Sequence, residues 1–153
     1  MLRNYTIPAN FGKFIQREKH QTCSLEESIR QHIFLILVTR AQANRFDYSY
    51  CSDLWKHDFD NSSASTVSNI RHGLEKSIAD VLNRYEKRLS DVKVKIQISA
   101  ESLAVGKFGT IKSMKKKVRL VIEGRIVETN QVFRPDPFVI YFSPIMLDAD
   151  GRL

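Results

Sequence analysis

Between Thr66 and Leu89 the apolar residues Val67, Ile70, Leu74, Ile78, Val81, Leu82 and Tyr85 recur at gaps of three and four, with Asn69, Arg71, Glu75, Lys76, Asp80, Arg84 and Lys87 falling elsewhere. That spacing gathers the apolar side chains on one stripe of a helix, so one long amphipathic α-helix is expected. Ser65 or Thr66 is placed to cap its first N–H groups, Asp80 and Arg84 stand at i,i+4, and Lys87 and Arg88 lie where the helix dipole favours cations. A second helix is announced by Ser24-Leu25-Glu26-Glu27, a capping box in which serine and glutamate satisfy each other's backbone N–H groups. Leu25, Ile29, Ile33, Ile36 and Leu37 follow at helical spacing, and the unbroken run Ile33–Val38 predicts last turns covered on several sides, ending near Thr39 or Arg40.

After the long helix the period changes from 3.6 to 2. Val92, Val94, Ile96 and Ile98 alternate with Lys93, Lys95 and Gln97, and Val118–Ile126 alternates again. Phe138–Phe142 reads as a third strand behind Pro135 and Pro137, and Gly106 and Gly109 fall in a flexible connection. Between the two helices, Phe46–Tyr50 is expected to be a short extended piece, Ser52-Asp53-Leu54-Trp55 a short helix, and Asp58 to Ser63 a polar loop. Helices first and strands afterwards predict an α+β fold with two main helices packed on a small antiparallel sheet. Residues 1–22 show no period and carry Pro8 and Gly12, which predicts an extended N-terminal arm before a single domain over 23–153. Phe11 and Phe14 in that arm are expected to patch the domain's own core, the competing reading being contact with a partner.

Composition narrows the class. A chain of 153 residues, 42% of them hydrophobic, suits one core. It has no apolar run of membrane-spanning length and begins nothing like a signal peptide, so a cytoplasmic protein is expected. Two cysteines, Cys23 and Cys51, fit reduced thiols better than a disulfide framework. The formal charge of +7 favours anionic partners, either nucleic acid or an acidic protein face.

Catalytic and metal chemistry find little support. His20, Cys23, Cys51 and His57 are the residues from which a zinc site could be drawn, but the second pair is spread over six positions and neither pair sits on an evident knuckle. No cysteine follows a glycine-rich elbow or opens a helix, so no thiol is marked as activated beside His20, His32, His57 or His72. A glycosidase needs two carboxyls across a cleft, one held protonated in an apolar pocket. Glu27 reads as a cap, Glu75 and Glu86 as helix-surface charges, and Asp58 and Asp60 as loop residues. Lys107, Lys112, Lys115, Lys116, Lys117 and Arg119 could follow a phosphate backbone, yet only Phe108 lies near to stack on a base. Asp148-Ala149-Asp150-Gly151 opens like a calcium loop but lacks the later ligands. No catalytic residue, metal ligand or cofactor is expected.

Three segments in this order carry a family likeness: Ser28-Ile29-Arg30 leading into Leu35–Arg40, then Asn44–Leu54, then Ile78 through Tyr85-Glu86-Lys87-Arg88-Leu89. With them the chain resembles the small baseplate wedge family of contractile injection systems, which comprises the phage tail wedge subunit once labelled lysozyme-like and TssE of type VI secretion. Ile122–Ile126, Pro135, Pro137–Phe142 and Leu147–Gly151 are more similar to the secretion branch. Where that family has Glu-Pro-Arg after the long helix this chain reads Glu86-Lys87-Arg88, keeping the charges without the proline, and Cys51 stands where a glycine is usual. The resemblance implies a non-enzymatic adaptor that joins other baseplate wedge proteins and offers a sheet edge to the first ring of the contractile sheath. It places partner binding at Glu86 and Arg88 and at an exposed edge strand, for which Phe138–Phe142 is the candidate. That segment is apolar without an internal charge, so Val139 and Tyr141 are the expected contact positions. Central pairing within its own sheet is the competing expectation. The old family label implies a peptidoglycan muramidase as an alternative function, and the charge implies a basic nucleic-acid-binding module.

Overall fold

The computed structural model describes the backbone of residues 4–56, 64–105 and 111–142, and the side chains within them apart from 64–67, 100–105 and 111–115. The N-terminal arm is folded back on itself rather than simply extended. Strand β1 (Asn4–Tyr5) is followed by the short helix α1 (Phe11–Ile15) and by β2 (Thr22–Cys23), which pairs antiparallel with β1. Asn10 starts α1 by accepting from the Lys13 N–H at 3.3 Å, and the Ile7 N–H donates to Gln31 Oε1 at 2.8 Å, tying the arm to the next helix. Phe11 and Phe14 do not enter the core as expected, for no residue of α1 is buried. Phe14 stacks instead on His20, ring centres 5.0 Å apart.

Helix α2 (Leu25–Val38) starts and stops where the pattern predicts. Ser24 Oγ accepts from the Glu27 N–H at 3.1 Å, while the Glu27 carboxylate turns to Gln31 and Arg30 instead of completing the capping box. Ile29, Ile33, Ile36 and Leu37 are fully buried. Residues 44–50 form hydrogen-bonded turns, not the expected extended piece, because Asn44 and Asp47 capture backbone N–H groups two residues on. A 3-10 segment, Asp53–Lys56, follows, with Leu54 buried and the Trp55 indole donating to the Leu37 carbonyl at 2.9 Å.

Helix α3 (Ala64–Tyr85) is the long amphipathic helix, burying Leu74, Ile78 and Leu82. It ends four residues before the expected Leu89. Glu86 makes the last helical bond, to the Leu82 carbonyl at 2.8 Å, and the chain then turns so that Leu89 reaches the same core from a strand. The Lys87 ammonium donates to the Asn83 carbonyl at 3.0 Å, a cation at the negative end of the helix dipole.

Strands β3 (Leu89–Val105) and β4 (Ile111–Ile126) form one long antiparallel hairpin, paired from Leu89–Ile126 out to Val105–Ile111. Both strands run further than the alternating apolar residues alone predict. β5 (Val132–Phe133), which carries too few residues to show a period, pairs with Gly124 and Arg125, and β6 (Phe138–Phe142) pairs with Lys116–Leu120. Strand β4 is therefore central, with β3 on one side and β5 and β6 on the other. A bulge between Ser90 and Lys93, with Asp91 at φ 52°, brings the Ser90 carbonyl to 3.1 Å from where a side chain at Gly124 would begin. A side chain there would press on that carbonyl. Both main helices cover one face of the sheet, where Ile96, Val118, Leu120, Ile122, Phe138 and Ile140 are buried, and the lysine-rich alternate positions face outward.

Candidate partner-binding site

The two expected contact regions differ sharply in how much of them is free. Glu86 is not a helix-surface charge: it is 1% exposed. Its Oε1 accepts from the Arg88 backbone N–H at 3.1 Å and from Arg88 Nε at 2.7 Å, and Oε2 accepts from Arg88 Nη2 at 2.6 Å and lies 2.8 Å from His32 Nδ1. Arg88 Nη1 reaches across to Ser28 Oγ at 2.9 Å. Burial alone would favour the neutral acid, but the bonds from Arg88 and His32 outweigh it and hold the Glu86 carboxyl at about 2, well below its ordinary 4.5. The same carboxylate pushes the Arg88 guanidinium upward against its own burial. The Glu86-Lys87-Arg88 corner is thus an internal clamp joining the end of α3 to α2, with the Arg88 side chain still partly open to solvent. Neither His32 nor Ser28 is marked as its partner by the sequence, because the contact spans 54 and 60 positions.

Among the described strands, β6 lies at an edge of the sheet. Among the described residues its only strand partner is β4. Phe138 and Ile140 point into the core, whereas Val139 and Tyr141 are 41% and 52% exposed on the outer face. Arg30 lies over the Phe138 ring at 5.7 Å, Trp55 packs against Phe142 at 5.1 Å, and Lys117 lies over the Tyr141 ring at 5.7 Å. The opposite edge, β3, is treated differently. Glu75 on α3 accepts from the Ile96 N–H at 2.9 Å, satisfying a backbone donor that faces away from β4.

The other residues singled out by the sequence are dispersed. Cys23 and Cys51 are free thiols, and His20 Nε2 sits 3.3 Å from the Thr6 carbonyl. Among the described residues no three His, Cys, Asp or Glu side chains gather as metal ligands. Lys112, Lys115, Lys116, Lys117 and Arg119 all lie along β4. His57, Asp58, Asp60, Lys107, Phe108 and the segment 148–151 lie outside the described residues.

Residues 23–131 match the family described as Baseplate wedge protein gp25. The chain belongs to the gp25 baseplate wedge family. The match takes in α2, α3, the β3–β4 hairpin and the Glu86 clamp, so this gp25-family protein has the structural role of a baseplate wedge component in a contractile tail system. A crystal structure from Geobacter sulfurreducens, of a protein provisionally labelled a tail lysozyme, is similar at a TM-score of 0.50 and 19% identity, covering 82% of this chain and 96% of that one. At that identity the likeness concerns the fold and transfers no activity. No curated relative matches the chain. No helix among the described residues is long and apolar enough to cross a membrane.

Proposed function

We propose that this gp25-family chain is a non-enzymatic adaptor of the TssE kind, held among baseplate wedge proteins and offering β6 to a strand from the first sheath ring. The observation that carries this reading is the asymmetry of the two sheet edges. β3 has a backbone donor bonded by Glu75, while β6 presents an apolar strand with β4 as its only strand partner among the described residues. An added strand would gain affinity from backbone bonds and selectivity from alternate side chains, those beside Val139 and Tyr141 on the outer face. Partner contact at the corner would pass through Arg88, whose side chain is about one-third exposed, rather than through Glu86, which the clamp consumes.

The test is sheath nucleation on reconstituted baseplates. Val139→Lys and Tyr141→Lys alter exposed positions and should leave the melting temperature within a few degrees of wild type while suppressing sheath growth. Folded variants that nucleate sheath normally would remove β6 as the contact. At the corner, Arg88→Lys keeps the charge but also weakens the internal bond to Glu86, so a fall in baseplate incorporation supports partner contact only if the melting temperature of the variant stays near wild type.

A further inference from the structure

The turn between α2 and the 3-10 segment is fastened more tightly than a connection requires. Asn44 Oδ1 accepts from the Phe46 N–H at 3.0 Å, and Asp47 Oδ1 accepts from the Ser49 N–H at 2.9 Å and from Ser49 Oγ at 2.6 Å. Asp47 Oδ2 accepts from the Tyr85 hydroxyl at 2.6 Å, which bolts the turn to the end of the long helix. Tyr50 packs edge-on to Tyr85 at 5.0 Å, and the Ser52 N–H closes the base of the loop on the Thr39 carbonyl at 3.2 Å. What this frame holds outward is Phe46, 100% exposed, with Tyr48 beside it at 67%.

A large apolar side chain on a loose loop would carry no argument. Here the backbone is already ordered by the fold, so binding through these rings would not incur the usual cost of fixing a loop. Aromatic rings beside arginines are also the composition of interface anchors. The charge around them is net positive: Arg40 and Arg45 flank the turn, its own carboxylate Asp47 is engaged by Ser49 and Tyr85, and in the cavity beside Tyr48 the carboxylates Asp53 and Asp80 are outnumbered by Lys56, Lys76 and Arg84, with Asp53 paired to Lys56 at 2.6 Å.

We propose that this turn is a docking knob, Phe46 and Tyr48 entering an apolar socket bordered by Asp or Glu side chains on a neighbouring wedge protein. A lipid surface fits less well, because two rings on a tight turn offer a much smaller apolar face than an interfacial helix does. The inference rests on the baseplate reading above but concerns a different surface from β6 and the Arg88 corner.

The test places a benzoylphenylalanine photoprobe at position 46 of the full chain and cross-links it within purified baseplates, with a second probe at position 141 as a reference. The 46 probe should capture one wedge protein at a site where apolar residues stand between carboxylates. In parallel, Phe46→Ser, at a fully exposed position, should keep the wild-type melting temperature yet lower incorporation at limiting concentration by about 30-fold or more, the loss typical of an anchor residue. Wild-type incorporation of Phe46→Ser, cross-links from 46 only to a second copy of this chain, or capture by phosphatidylglycerol vesicles that Phe46→Ser abolishes would each overturn the knob while leaving the adaptor reading standing. Absence of the wild-type chain from baseplates would overturn both.

Discussion

At Glu86 a single side chain decides how the two helices meet. A carboxylate taken from water to 1% exposure is tolerated only because Arg88 grips both oxygens and His32 approaches one of them. Its carboxyl is held at about 2 when folded against an ordinary 4.5, so the folded state is favoured above the higher value and that advantage disappears as pH falls through the lower. Linkage makes this worth about 3 kcal/mol. Denaturant unfolding should therefore show wild type losing stability between roughly pH 4.5 and 2, with Glu86→Gln starting lower at neutral pH and falling less over the same range. Glu86→Ala should cost about 3–5 kcal/mol at pH 7, because the Arg88 charge is left without its partner. The Glu86-Lys87-Arg88 triplet was legible in the sequence as a feature, but its burial was not. A polar residue at the end of an apolar stripe reads locally as surface, and the His32 and Ser28 contacts that bury it come from another element.

The elements divide along the same line. α2 and the body of α3 are encoded locally, by a capping serine and by apolar stripes, and Ile29, Ile33, Leu74, Ile78 and Leu82 all reach the core that the stripes imply. Where α3 stops is less visible, because Leu89 continues the stripe's period yet enters the core from β3. The Phe46 turn reads as extended in the sequence because alternating aromatic and polar residues imitate a strand, while the Asx bonds that bend the chain depend on side-chain geometry. Two element-level outcomes follow from packing. Ile78→Ala, at the centre of α3, should cost about 2–5 kcal/mol in chemical denaturation; a loss under about 0.5 kcal/mol would mean that this face does not pack on the sheet. Glu75→Ala removes the acceptor of the Ile96 N–H and should cost about 1–3 kcal/mol, from one unsatisfied backbone donor. It should also raise self-association in sedimentation, since it reopens the β3 edge.

For the whole molecule, the question is whether a fold shared with a protein provisionally labelled a tail lysozyme carries hydrolase chemistry. Retaining and inverting glycosidases alike need an acid that keeps its proton at working pH and a second carboxylate across the sugar from it. Glu86, the one carboxylate buried almost completely among the described side chains, is displaced the wrong way: its bonds to Arg88 and His32 hold it ionised at about 2, so it has no proton to give a leaving group at neutral pH. Glu75 is committed to the Ile96 N–H, Glu123 to Arg134 at 2.8 Å, and Asp47 to Ser49 and Tyr85, whose bonds hold its carboxyl below the ordinary range. Glu86, Glu75, Glu123 and Asp47 are thus fasteners within the fold. Purified chain incubated with peptidoglycan sacculi should release no muropeptides at pH 5 or pH 7, and Glu86→Gln should change stability without changing that result. Release that is reproducible, saturable and lost in one carboxylate substitution would mean that a protonated acid exists elsewhere in the chain and that the adaptor reading omits a catalytic function.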